Sequence, residues 1–230
     1  MAGDNPGLAG PTKPAQSGNA DALVIFIHGY GADGQDLIGI GDTLAPHLPD
    51  VMFAAPNAPD RCTNNPMGFQ WFPIPWLDGS SEEAAAEGMA RAAELLHSYL
   101  DGIAAETGIG PERTVLVGFS QGTMMSLHVG PTRAASLAGI VGFSGRLLAP
   151  ETLATAQSKP PVLLIHGDLD DVVPPSSMPE AADALTGAGF QVYTHVSNGM
   201  GHGIAPDGLS LSLSFIRHVL GIETQDAGDE

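Results

Sequence analysis

Thr114-Val115-Leu116-Val117-Gly118-Phe119-Ser120-Gln121-Gly122-Thr123-Met124-Met125 joins a short apolar, β-prone run to residues that favour a helix, with Gly-x-Ser-x-Gly at the junction. A serine on a sharp strand-to-helix turn needs a strained backbone. Glycines two positions to either side leave room where a Cβ would strike the neighbouring strand or helix. Ser120 would then project from the top of a sheet, and the helix behind it would direct its N–H groups and positive dipole end toward negative charge developing at an attacked carbon. The five-residue pattern is short, so its weight depends on whether a base, an orienting acid and an oxyanion hole stand where such a turn needs them.

Outward from this junction the chain alternates strand and helix signals. Leu23-Val24-Ile25-Phe26-Ile27, Val51 to Ala55, Leu137 to Phe143 and Pro161 to Ile165 are continuous apolar runs of the kind that strands buried on both faces show, and Phe190 to Val196 reads as a further strand. Helical signals fall between them. Leu37, Ile40 and Leu44 imply a helix-like stretch to about Leu48. Ser80 paired with Glu83 resembles a capping box opening a long helix, which Gly108 and Gly110 end. Helices are also expected from about Ser177 to Ala188 and from Asp207 to Leu220. Strict alternation predicts an α/β fold with a mostly parallel central sheet flanked by helices on both faces.

Residues 1–20, rich in Gly, Pro, Ala and Asn, are expected to form a flexible or loosely tethered arm, residues 21–222 the single domain, and 223–230 a short acidic tail. The net charge of −18, with eight Lys and Arg against 26 Asp and Glu, argues against nucleic acid and anionic membrane surfaces as partners. Cys62 is the only cysteine, so an intrachain disulfide and a zinc–cysteine cluster are excluded. The N-terminus lacks the apolar core of a signal peptide and no segment has the apolar length to span a bilayer, so a cytoplasmic protein is expected.

In an open α/β sheet, chemistry sits on loops beyond the carboxyl ends of the strands. After the Pro161–Ile165 strand comes His166-Gly167-Asp168-Leu169-Asp170-Asp171, and after Phe190–Val196 comes Ser197-Asn198-Gly199-Met200-Gly201-His202-Gly203. With Ser120 these supply an acid and a histidine in the order Ser, Asp, His that α/β-hydrolases use. Asp168, Asp170 and Asp171 compete for the acid position, two of them being turn formers. Among eight histidines His202 is the best base: glycines flank it, and it lies in a loop after a late strand, ahead of the last helix. His28 and His166 read as structural, hydrogen-bonded residues. The oxyanion hole should be the backbone N–H groups of Gln121 and Tyr30. A phosphate-binding reading of His28-Gly29-Tyr30-Gly31 lacks the Lys-Ser/Thr of a P-loop and the spacing of a dinucleotide fingerprint. Between Pro56 and Gly79 runs an irregular but apolar segment holding both tryptophans, and Met67, Trp71 and Phe72 are its candidates for one wall of an acyl pocket. Exposed aromatics there would equally suit a lid or a homodimer surface.

From about Leu23 to Leu220 the chain resembles the phospholipase/carboxylesterase family of α/β-hydrolases, which includes acyl-protein thioesterases and small bacterial carboxylesterases. The resemblance rests on His28-Gly29-Tyr30-Gly31, Trp71-Phe72, Gly118-Phe119-Ser120-Gln121-Gly122, His166-Gly167-Asp168-Leu169-Asp170 and Gly201-His202. It implies an α/β-hydrolase fold without a large cap domain. It also implies a serine esterase for esters or thioesters of short to medium acyl chains, needing no cofactor or metal. The acid loop of many such hydrolases carries its aspartate two residues after His-Gly, which selects Asp170. The chain departs from the family's common pattern at Tyr30, often Leu, at Pro73, often Asp, and at Thr123, often Gly.

Overall fold

The computed structural model describes residues 7–222. Seven strands form one sheet, in the order β1 (Thr12–Lys13), β3 (Val51–Ala54), β2 (Ala22–Ile27), β6 (Thr114–Phe119), β7 (Gly139–Phe143), β8 (Val162–Gly167) and β9 (Val192–Ser197). All neighbours run parallel except β1, which pairs antiparallel with β3. Alternate residues of each strand enter two separate cores, because successive side chains point to opposite faces. Leu23, Ile25 and Ile27 meet one cluster with Leu96, Met125 and Leu185, from α4 (Glu82–Thr107), α5 (Gln121–Thr132) and α6 (Ser177–Gly187). Val24 and Phe26 meet the other with Leu37, Leu44, Phe215 and Ile216, from α1 (Gly34–Ile38), α2 (Ile40–Leu44) and α7 (Pro206–Leu220). Strands buried on both faces explain the continuous apolar runs. Among the described residues no helix is long and apolar enough to cross a membrane.

Three local expectations are corrected. The arm, where described, is docked: Pro11 O and Ala9 O accept the N–H groups of Ala55 and Asn57, and Gly10 lies so close to Ala55 O that a Cβ would stand 2.0 Å from it. Glycine and proline there serve a close edge contact, which composition reads as looseness. Residues 1–6 and 223–230, and with the latter the acidic tail, lie outside the described residues. The stretch after Gly34 is two short helices meeting at Gly39, with the capping box formed by Asp33 and Asp36. The long helix is capped by Ser81, which accepts the Ala84 N–H, whereas the Ser80 N–H is taken by Asp78. One residue of slip moved the cap because Asp78 competes for Ser80.

Between β3 and α4 the chain forms a small antiparallel hairpin, β4 (Asp60–Arg61) with β5 (Phe69–Gln70), and a short helical turn, α3 (Pro75–Asp78). Asn65 Nδ2 donates to Gly31 O and the Gly31 N–H to Phe69 O, so the hairpin is stitched to the loop after β2.

Candidate active site

Ser120 stands at the end of β6 with φ 54° and ψ −115°, a conformation that costs a non-glycine residue about 1–3 kcal/mol. The elbow is over-determined by close packing. A Cβ on Gly118 would lie 2.5 Å from the Thr123 N atom, and one on Gly122 would lie 1.8 Å from Ile27 O. Both glycines of the motif are therefore required by backbone-to-backbone contact, as the sequence pattern predicts. The Ser120 N–H donates to Phe143 O, and Thr123 Oγ1 donates to the Gly118 and Phe143 carbonyls, locking the turn between β6 and β7. Ser144, at the end of β7, also has positive φ, 47°.

The loops after β8 and β9 meet beside this turn. Of the three candidate carboxylates only Asp170 reaches a histidine of the second loop: its Oδ2 accepts from His202 Nδ1 at 2.8 Å, while its Oδ1 accepts the Val172 and Val173 N–H groups, each at 2.9 Å. Burial pushes the Asp170 carboxyl up, but the His202 bond and the two N–H groups outweigh it and hold the group below the usual carboxylate range. Asp168 takes the Gly199 N–H at 2.6 Å and so ties the two loops together, while Asp171 is exposed. The His202 ring packs on Phe119 at 5.0 Å, next to Ser120. His202 makes its hydrogen bond through Nδ1 to Asp170, and none joins it to Ser120 Oγ.

Loop 28–31 lies over the serine. A Cβ on Gly29 would stand 3.3 Å from Ser120 Cβ. Among the described residues neither the Tyr30 nor the Gln121 N–H has a backbone partner. Their directions follow from the other ends of their peptide planes. Ser120 O accepts from the Thr123 and Met124 N–H groups inside the helix, so the Gln121 N–H, on the far side of that peptide, points out of the helix start. Gly29 O is held at 2.7 Å by His28 Nδ1, so the Tyr30 N–H points away from His28.

The phospholipase/carboxylesterase family model matches residues 13–220. The chain belongs to that family. It is 33% identical to acyl-protein thioesterase 1 of Gibberella zeae, over 86% of this chain and 91% of that protein, and 27% identical to esterase YpfH of Escherichia coli, over 91% and 86%. Among solved structures, esterase PE8 superposes with a TM-score of 0.88 at 47% identity, covering 93% of this chain and 100% of that one. The protein is an α/β-hydrolase and an enzyme of the carboxylesterase type.

The three candidates for an acyl wall differ in exposure. Trp71 is 0% exposed and Phe72 is buried with it, whereas Met67, at the hairpin tip, is 82% exposed. Trp71 Nε1 donates to His28 O at 2.9 Å and its ring lies 5.5 Å from the His28 ring. Its aromatic surface is spent on the core under the glycine loop, which composition cannot distinguish from a surface facing ligand. His166 is the structural, hydrogen-bonded residue that the sequence reading expects, while Asp78 escaped the sequence. His166 Nε2 hydrogen-bonds Val173 O at 3.0 Å and stands 3.2 Å from Asp170 Oδ2, bracing the acid loop from below. Asp78 accepts from the Tyr30 hydroxyl and from the Ile74 and Ser80 N–H groups. The strand-then-His-Gly pattern shared by His28 and His166 is the signal that marked both as structural histidines, and both hydrogen-bond loop backbone as that reading expects.

Proposed function

We propose that this enzyme hydrolyses carboxylic esters or thioesters of short to medium acyl chains by two-step acyl transfer. Ser120 is the nucleophile, His202 the general base and acid, and Asp170 the group that fixes the imidazole. The observation that carries the reading is the 2.8 Å Asp170–His202 bond beside a serine held at positive φ. With Nδ1 donating to Asp170, the lone pair of the neutral imidazole is on Nε2, where it accepts the Ser120 proton as Oγ attacks the carbonyl. The Asp170 carboxylate then steadies the imidazolium. The Tyr30 and Gln121 N–H groups receive the oxyanion, each such donor contributing about 3 kcal/mol to barrier reduction. His202 next protonates the leaving alcohol or thiol. It then activates water, which attacks the acyl-serine carbonyl and releases the carboxylic acid, returning the proton to Ser120.

Phosphonylation by a fluorophosphonate ester, in which Ser120 Oγ attacks phosphorus and fluoride leaves, tests the reading. Intact mass should show one adduct per chain, peptide mapping should place it on Ser120, and His202→Ala should lose it. Folded protein without an adduct would refute the serine mechanism and favour a hydrolase-like ligand-binding role.

A further inference from the structure

Three fully buried side chains link the two N–H groups assigned to the oxyanion. Gln121, whose own N–H is one donor, sends its side chain back under the site: Oε1 accepts the Trp71 N–H at 2.8 Å and Nε2 donates to Phe72 O at 2.8 Å. The amide thus grips the Trp71–Phe72 segment as a neighbouring strand would. Trp71 Nε1 donates to His28 O at 2.9 Å. His28 Nε2 accepts the Ala58 N–H at 2.9 Å, which leaves its proton on Nδ1, where it donates to Gly29 O at 2.7 Å. Gly29 O belongs to the peptide whose N–H is the Tyr30 donor. The path therefore runs from one donor to the other, and Gln121, Trp71 and His28 are each 0% exposed.

We propose that Gln121, Trp71 and His28 form a positioning bridge that sets the spacing and aim of the two oxyanion donors. The inference rests on the acyl-transfer reading above. Because a peptide's C=O and N–H are antiparallel, holding Gly29 O aims the Tyr30 N–H, and holding the Trp71–Phe72 segment on Gln121 fixes where that loop sits relative to α5. Burial of His28 pushes its imidazole below the usual histidine range, so the Nδ1–H tautomer persists through neutral pH. An oxyanion donor acts in full only when it is already in place as charge develops, so loosening the bridge should weaken the transition state and spare ground-state binding.

Two variants keep both backbone N–H groups. Gln121→Met removes both side-chain bonds at similar length, and Trp71→Phe removes the Nε1–H and keeps an aromatic ring. With p-nitrophenyl acetate each should lower kcat on the order of 10- to 100-fold with KM within about threefold, and the Ki of a trifluoromethyl ketone, which forms a tetrahedral adduct, should rise in proportion. The double variant should be little worse than the poorer single one, since one broken link already uncouples the donors. Leu185→Val, in the buried face of α6, should lower the melting temperature without this loss of kcat. If either variant folds, labels with fluorophosphonate and keeps kcat within twofold of the unmodified enzyme, the bridge is overturned. Absence of labelling in the unmodified enzyme would instead refute the acyl-transfer reading.

Discussion

Asp170→Asn separates orientation of the base from its mere presence. The Asp170 side chain is fully buried, and its two oxygens have fixed duties. Oδ1 takes two N–H groups at 2.9 Å, and Oδ2 takes His202 Nδ1 at 2.8 Å. In the asparagine variant the carbonyl oxygen must stay with the Val172 and Val173 N–H groups, since turning the amide would leave those donors facing an NH₂ at about 1–3 kcal/mol each. The NH₂ therefore faces His202 Nδ1, which can accept only if its proton moves to Nε2. That is the atom meant to receive the Ser120 proton. The imidazole keeps its place in the wrong tautomer, and kcat should fall on the order of 10⁴-fold, about 5 kcal/mol of barrier. Steady-state hydrolysis of p-nitrophenyl acetate, with circular dichroism to show an intact fold, measures it. A folded variant retaining more than about a tenth of kcat would refute this assignment of the acid.

Other consequences follow from packing and charge. Gly122→Ala would press a Cβ into Ile27 O at 1.8 Å, so it should fail to accumulate as folded protein, which expression and a thermal melt would show. His28 is kept neutral by burial; below about pH 6.5 the unfolded chain binds a proton that the folded one refuses, so stability should fall as pH drops. Urea melts between pH 7.5 and 5 should show this fall, and His28→Asn should make it shallower. Met67→Ser replaces an exposed side chain and should leave stability within about 0.5 kcal/mol while raising KM for longer acyl esters; equal KM across an acyl series would remove Met67 from the acyl path.

The sequence by itself determined the sheet, the elbow and the loops that converge on it. Continuous apolar strands, helical spacing and the glycines around Ser120 are local signals, each fixed by sterics within a few residues, whereas the strand order that sets the Asp and His loops side by side at one edge came from the structure. It did not choose among Asp168, Asp170 and Asp171 except by resemblance, because only the meeting of two loops 31 to 32 residues apart shows which carboxylate faces His202 and which merely ties Gly199. Tertiary structure alone also decided that residues 7–20 dock on the sheet edge and that Trp71 lies beneath the loop after β2, while only the folded geometry showed that Ser81 and not Ser80 caps α4. In each case a polar or aromatic group had several possible partners nearby in sequence. For the arm, Asp170 and Trp71 the partner taken is supplied by a segment distant in the chain, so their roles are fixed by packing that composition and spacing do not encode; the α4 cap is settled between near neighbours, Asp78 taking the Ser80 N–H and Ser81 the Ala84 N–H.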